Sequence, residues 1–187
     1  ANEMHSNIRV VNGPSIEKIG DLASILSNLE PGDVLFIDEI HRIPRAVEEV
    51  LYSAMEDFKL NVIINRDSGP KAINLDLPPF TLIGATTRVG NLSLPLRTRF
   101  GIKEKINFYL VEELASIIKR SAKVFLMDIE DKACLEIAKR SRGTPRIANR
   151  LYRRVRDFAN YENIEQIDDK LSKKALCALG VDKLGLD

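Results

Sequence analysis

Residues 33–42 read DVLFIDEIHR: four consecutive apolar side chains, Val34 to Ile37, that stop abruptly at two carboxylates, Asp38 and Glu39. A run of this length, opened by the Pro31-Gly32 break, fits a strand buried on both faces of a parallel sheet. Its acidic end then lies at the carboxyl edge of that sheet, where open α/β folds bind ligands. Successive side chains on a strand point to opposite faces, so the two acids cannot share one task. Such a pair can order a Mg²⁺ shell with its first member and polarise an attacking water with its second. The competing reading is a pair of solvated acids at a strand end.

Working outward, residues 1–10 read as the tail of a helix followed by an extended stretch, as though the fold were entered midway. Residues 14–29 carry Ile16, Ile19, Leu22, Ala23, Ile25, Leu26 and Leu29 at helical spacing, with Ser15 as the expected cap. Downstream, 45–58 is a second amphipathic helix. Residues 60–77 alternate, turn over 65–70 and alternate again, which predicts a hairpin. Another short buried strand is expected at 80–85 and a further strand at 102–108. After Val111 the strand signals stop, and 112–125, 131–140, 144–159 and 168–179 each predict a helix. The fold class is therefore α/β, a parallel-sheet core with a hairpin insertion over residues 1–108, followed by an all-α unit over 109–187.

Composition narrows the function. The 187 residues carry 28 Lys plus Arg against 27 Asp plus Glu, a net charge of +1, with 44% hydrophobic and 29% charged residues. That excludes a disordered chain and a uniformly basic, histone-like binder. Charge is nonetheless divided: residues 1–40 hold 2 basic and 7 acidic groups. No apolar run reaches the ~20 residues that span a bilayer, and no secretory signal opens the chain, so a cytoplasmic protein is expected. Cys134 and Cys177 sit singly in helical patterns and are expected as buried small hydrophobes; His5 and His41 are too few and too far apart to argue for a metal.

Three further motifs carry polar chemistry. Gly84-Ala85-Thr86-Thr87-Arg88 places a hydroxyl, Thr87, at the tip of the neighbouring strand, ~5 Å from the acidic edge, where it could hold a water from the side opposite Glu39. Taken alone it is a turn hydroxyl. Leu96-Arg97-Thr98-Arg99-Phe100-Gly101 can project a guanidinium from a rigid loop, although single exposed arginines are usually solvated. Gly143-Thr144-Pro145-Arg146 opens a helix with a cap and a proline at the first position, and sets Arg146 against the helix dipole, which suggests an anion nearby. From Lys139 to Arg156 there are 8 basic residues and no acidic one. A solvated basic face is the default reading, with phosphate or DNA as the alternative.

In this order and spacing the four motifs resemble the AAA+ ATPases: Asp38-Glu39 is similar to Walker B, Thr87 to sensor 1, Arg99 to the arginine finger and Arg146 to sensor 2. Within them, VLFIDEIHR, EEVLYSAMEDF, LPPFTLIGATTR, PLRTRFGI and RGTPRIANRLYRRVRDFA resemble the RuvB family of Holliday junction branch-migration motors over essentially the whole chain. The resemblance implies ATP and Mg²⁺ as cofactors, with Asp38 serving the metal, and a hexameric ring acting on DNA with RuvA and RuvC. It implies that Arg99 reaches the neighbouring subunit's nucleotide, and that Tyr109 and Arg146 touch the subunit's own. Glu56, Asp57 and Phe58 would lie on the face near the adjoining nucleotide, and the 60–77 hairpin would dock RuvA. There Ile63 lies on the face opposite Leu60, Val62 and Ile64, an apolar group suited to a partner.

Two features depart from that pattern. The sequence contains no GxxxxGK[ST] phosphate-cradling loop and no winged-helix domain, so it reads as an internal fragment expected not to hydrolyse ATP by itself. The alternatives are a clamp-loader or initiator-type AAA+ ATPase, and a non-catalytic adaptor that kept the fold.

Overall fold

In the first unit the chain runs β1 (Ile8–Asn12), α1 (Ile19–Leu26), β2 (Val34–Asp38), α2 (Arg45–Glu56), a hairpin of β3 (Lys59–Arg66) and β4 (Gly69–Asp76), β5 (Thr81–Gly84) and α3 (Leu94–Arg99). The computed structural model describes residues 3, 5–66, 69–182 and 184–186, without the side chains of 62–73. It divides into two units, Ala1–Lys103 and Glu104–Asp187, each described by itself.

The sheet of the first unit is parallel, in the order β1-β2-β5. The middle position of β2 explains its unbroken apolar run: with a strand on each side and helices over the sheet, Val34, Leu35 and Ile37 are all buried. Leu22 and Leu26 of α1 and Val47, Leu51 and Ala54 of α2 form the helical stripes that share the core with Leu35 and Ile37. Each fully buried leucine or isoleucine contributes about 1.5–3 kcal/mol relative to exposure. The register sets Asn12 beside Asp38 and Ile37 beside Gly84, so the three strands end nearly level. The hairpin pairs from Lys59 with Asp76 out to Arg66 with Gly69, and Asn65 and Pro70 belong to its ladder. Ile63 pairs with Ala72, but its side chain falls outside the described residues, as does most of the helix tail expected at the start of the chain.

The second unit is helical: α4 (Val111–Val124), α5 (Asp131–Lys139), α6 (Pro145–Tyr161) and α7 (Asp169–Ala178), with the two-residue parallel pair β6 (Asp128–Ile129) and β7 (Gln166–Ile167) tying the α4 and α6 exits together. Leu114, Ile118, Ile137, Tyr152, Val155 and Leu176 form its core. Asp168 caps α7, its Oδ1 accepting from Leu171 N–H at 2.6 Å. Among the described residues no helix is long and apolar enough to cross a membrane.

Several expectations change. The strand at 80–85 forms as β5; among the described residues it has a ladder partner only on the β2 side, and Ile83 is 43% exposed rather than buried. No strand forms at 102–108. Those residues are irregular and Phe108 is 82% exposed, because an extended segment becomes a strand only when another backbone takes its N–H and C=O groups, and no described strand pairs there. Ser15 does not cap the first helix; its hydroxyl donates to Asn12 O at 2.7 Å, while Asp21 accepts from the N–H groups of Glu17 and Lys18 at 3.1 and 3.0 Å. Thr144 does precede α6, but its hydroxyl donates back to Arg142 O at 3.2 Å. Cys134 is buried and Cys177 is exposed, since the buried positions of α7 are Leu171, Ser172, Ala175 and Leu176 and position 177 falls off that stripe.

Candidate active site

The carboxyl edge of the sheet gathers the polar ends of its strands. Asp38 closes β2, and its Oδ1 accepts from Glu39 N–H at 2.9 Å. Glu39 takes a left-handed conformation, with φ of 49° and ψ of 40°, which turns the chain out of the strand into the 3₁₀ turn Ile40–Arg42. A non-glycine residue held there costs on the order of 1–3 kcal/mol, a strain typical of functional turns. Gly13 accommodates that turn from the end of β1: a Cβ on it would stand 2.4 Å from the Glu39 carbonyl oxygen. The Glu39 carboxylate meets Arg42 at 3.3 Å, but both side chains are about half exposed, so the pair is weak and easily exchanged for another partner.

The neighbouring tip is fixed by backbone and side chain together. Ala85 N–H donates to Ile37 O at 2.9 Å and Ile40 N–H donates to Ala85 O at 3.0 Å, locking the exits of β2 and β5. Thr86 Oγ1 then meets His41 Nδ1 at 2.9 Å and accepts from Arg88 N–H at 3.0 Å. The Thr86 hydroxyl is thus engaged in holding the loop, and Thr87 beside it is exposed. Gly84 allows this closeness, since a Cβ there would lie 2.9 Å from Ile40 Cδ1.

A second cluster sits where α3 meets α2. The guanidinium of Arg99 stacks on the Tyr52 ring, 4.5 Å from its centre, donates to Pro95 O at 3.0 Å, and faces Glu56 with Nε 3.0 Å from Oε1 and an NH2 donation to Oε2 at 3.3 Å. The structure therefore brings Arg99 and Glu56 together. Asp57 is exposed at the helix end, whereas Phe58, with φ of 50°, turns its ring edge-on to Phe80 at 5.9 Å and packs against the core.

In the second unit Tyr109 N–H donates to Gly143 O at 2.9 Å, which ties the irregular segment before α4 to the loop that launches α6 and Arg146. Gly143 is required here: its φ is +68° and a Cβ would lie 2.7 Å from Phe108 Cβ. Arg146 is exposed in the first turn of α6. The basic run behind it is less uniform than its sequence suggests. Arg140 is buried against Glu136 at 2.6 Å, Arg156 stacks on Phe125 at 4.4 Å, and Arg154 and Arg156 both approach Asp157.

The donor set suits Mg²⁺ held jointly with a nucleotide rather than a metal held by protein alone. Mg²⁺ is bound through one or two carboxylates plus phosphates, which matches the exposed Asp38 and the half-exposed Glu39, and among the described residues no group of three His, Cys, Asp or Glu could cage an ion. Sequence reasoning missed Gly13, His41, Thr86 and Tyr52. Only Tyr52 left a readable trace, the i, i+4 spacing of Glu48, Tyr52 and Glu56 on one helix face.

A family model described as the Holliday junction DNA helicase RuvB P-loop domain matches residues 1–106, and one described as the RuvB AAA lid domain matches residues 109–182. Among solved structures, the Thermotoga maritima RuvB Holliday junction branch migration motor is 51% identical with a TM-score of 0.88. Two point mutants of Thermotoga maritima RuvB are 51% and 52% identical with TM-scores of 0.91 and 0.90. Each alignment covers 100% of this chain and 58% of the solved one, so the chain spans just over half the length of the structures it matches. With both units matched by models of one family and half of all positions identical to a solved member, the chain belongs to the RuvB family, a P-loop AAA+ parallel-sheet core followed by a helical lid.

Proposed function

We propose that the full-length protein is an ATP-driven motor that moves Holliday junction branch points in recombination and repair, working as a hexameric ring with RuvA and alongside RuvC. The observation that carries this reading is the carboxyl edge: the exposed Asp38 at the end of the central strand and the half-exposed Glu39 on the strained turn after it, locked by backbone bonds to the loop that bears Thr87. When bound, Mg·ATP supplies the phosphoanhydride to be cleaved and the cation that neutralises its charge. Asp38 holds the cation's water shell. Glu39 orients and polarises the attacking water, and leaves its weak pairing with Arg42 to do so. Thr87 supports the same water from the neighbouring tip. Arg99 stabilises developing negative charge in the adjacent subunit, so turnover depends on assembly. Arg146 and Tyr109 read the subunit's own nucleotide, and the β3–β4 hairpin with Ile63 docks RuvA.

The test is Glu39→Gln in the full-length protein. Nucleotide binding is retained, ATP hydrolysis falls by about two to three orders of magnitude, and branch migration of a synthetic four-way junction stops. A wild-type protein that binds but never hydrolyses ATP would instead support the adaptor reading.

A further inference from the structure

Arg99 ends α3, a helix of six residues, and is followed by an irregular segment, so its own backbone offers little to fix a long side chain. The fixing comes from α2. The Tyr52 ring lies under the guanidinium at 4.5 Å while the Tyr52 hydroxyl donates to the buried Glu48 carboxylate at 3.2 Å and meets Ser93 Oγ at 2.8 Å. With the phenolic proton committed to Glu48, Ser93 is the donor in the second bond. Ser93 is the residue that caps α3, its Oγ accepting from Leu96 N–H at 3.3 Å. One side chain therefore holds both ends of α3: the hydroxyl engages the cap at the start, and the ring supports the arginine at the end. Glu56, one turn further along α2, takes the guanidinium edge.

We propose that Tyr52 is a positioning residue for Arg99: its ring, seated by Glu48 and Ser93, presents the guanidinium at one fixed place on the subunit surface before a neighbouring nucleotide arrives. This rests on the reading of Arg99 as a group that acts in trans. A long side chain free to explore several rotamers must be ordered during the reaction, and that ordering raises the barrier; a guanidinium stacked on a rigid ring has been ordered beforehand. A ring face also keeps the guanidinium in place when the Glu56 contact is lost, because cation–π attraction needs no partner charge.

Mixed rings of the full-length protein isolate this role. Donor subunits carry Glu39→Gln, so they cannot hydrolyse but still offer Arg99; acceptor subunits carry Arg99→Ala and an unaltered Tyr52. Adding Tyr52→Leu to the donors lowers kcat at the acceptor sites by about tenfold with KM unchanged, while Tyr52→Phe, which keeps the ring, recovers most of that loss. Ring assembly is checked by sedimentation, and Tyr52→Met, which fills the space without a π face, serves the same comparison if the leucine variant does not assemble. Equal acceptor activity with Tyr52 and Tyr52→Leu donors overturns the proposal while leaving Arg99 in its role. No hydrolysis from any donor–acceptor pair overturns the trans reading and the proposal with it.

Discussion

Thr86 Oγ1 lies 2.9 Å from His41 Nδ1, a side-chain bond across 45 positions that joins the turn after β2 to the loop after β5. Glu39 precedes His41 by two residues and Thr87 follows Thr86, so this bond adds a side-chain tie to the backbone bonds of Ala85 that join the two groups proposed to hold the same water.

Breaking it gives the first prediction. Thr86→Val keeps the shape and removes the hydroxyl; it costs about 1 kcal/mol of stability and lowers kcat for ATP hydrolysis by about tenfold in the full-length protein, with nucleotide affinity retained. Thr86→Ser restores most of the rate. A valine variant with wild-type turnover would show that backbone bonds alone hold the two tips.

Arg99 is proposed to serve the neighbouring site. Full-length Arg99→Ala and Glu39→Gln proteins are each inactive, yet an equal mixture regains about a quarter of the wild-type ATPase rate, the share of interfaces that combine one intact Glu39 with one intact Arg99 in a randomly assembled ring. Steady-state phosphate release measures it. A mixture as inactive as its parts would place Arg99 in cis.

Glu136→Ala tests the second unit. It leaves the Arg140 guanidinium, only 9% exposed, with the Val181 carbonyl as its remaining hydrogen-bond partner among the described residues. Removing one member of a buried pair costs about 3–5 kcal/mol, which urea denaturation followed by helical circular dichroism reads directly. The double substitution Glu136→Leu with Arg140→Met recovers most of that loss, since it removes both charges and fills the space.

Cys134 makes stability depend on alkaline pH. Burial, reinforced by the nearby Asp131, pushes its thiol up to about 11 from the ordinary 9.0. The folded state keeps the proton where the unfolded state has lost it, so the contribution is complete below pH 9 and is lost as pH rises from 9 to 11, a change on the order of 2–3 kcal/mol. Cys134→Ala flattens this part of the stability profile relative to wild type. Alkylation gives a second readout: the exposed Cys177 reacts in the folded protein and Cys134 reacts only on unfolding.

Much of the architecture is legible in the chain. The run Val34 to Ile37 reads as a central parallel strand because only a strand flanked and covered on both faces buries every residue, and the helical stripes of α2, α4, α5, α6 and α7 follow from spacing alone. Asp38, Glu39 and Thr87 stand out because each is a polar residue where a buried strand stops, and Arg146 because it opposes the dipole in the first turn of α6, while the role of Arg99 comes from the resemblance. Tyr52, His41 and Gly13 do not stand out, since their meaning lies in residues far along the chain: Ser93 for Tyr52, Thr86 for His41, and the carbonyl of Glu39 for Gly13.

The sequence by itself determined most of the helices, the central strand and the polar residues at the strand ends, because these depend on local spacing and on the drive to bury apolar area; the stretch expected as a rigid loop around Arg99 instead folds as α3. Only the tertiary structure decided that β2 lies between β1 and β5, that Asn65 and Pro70 belong to the hairpin ladder, and that Arg99 rests on Tyr52 and Glu56. Strand pairing and side-chain stacking each need a partner supplied by another part of the fold, and that partner leaves no mark in the spacing of the segment that receives it.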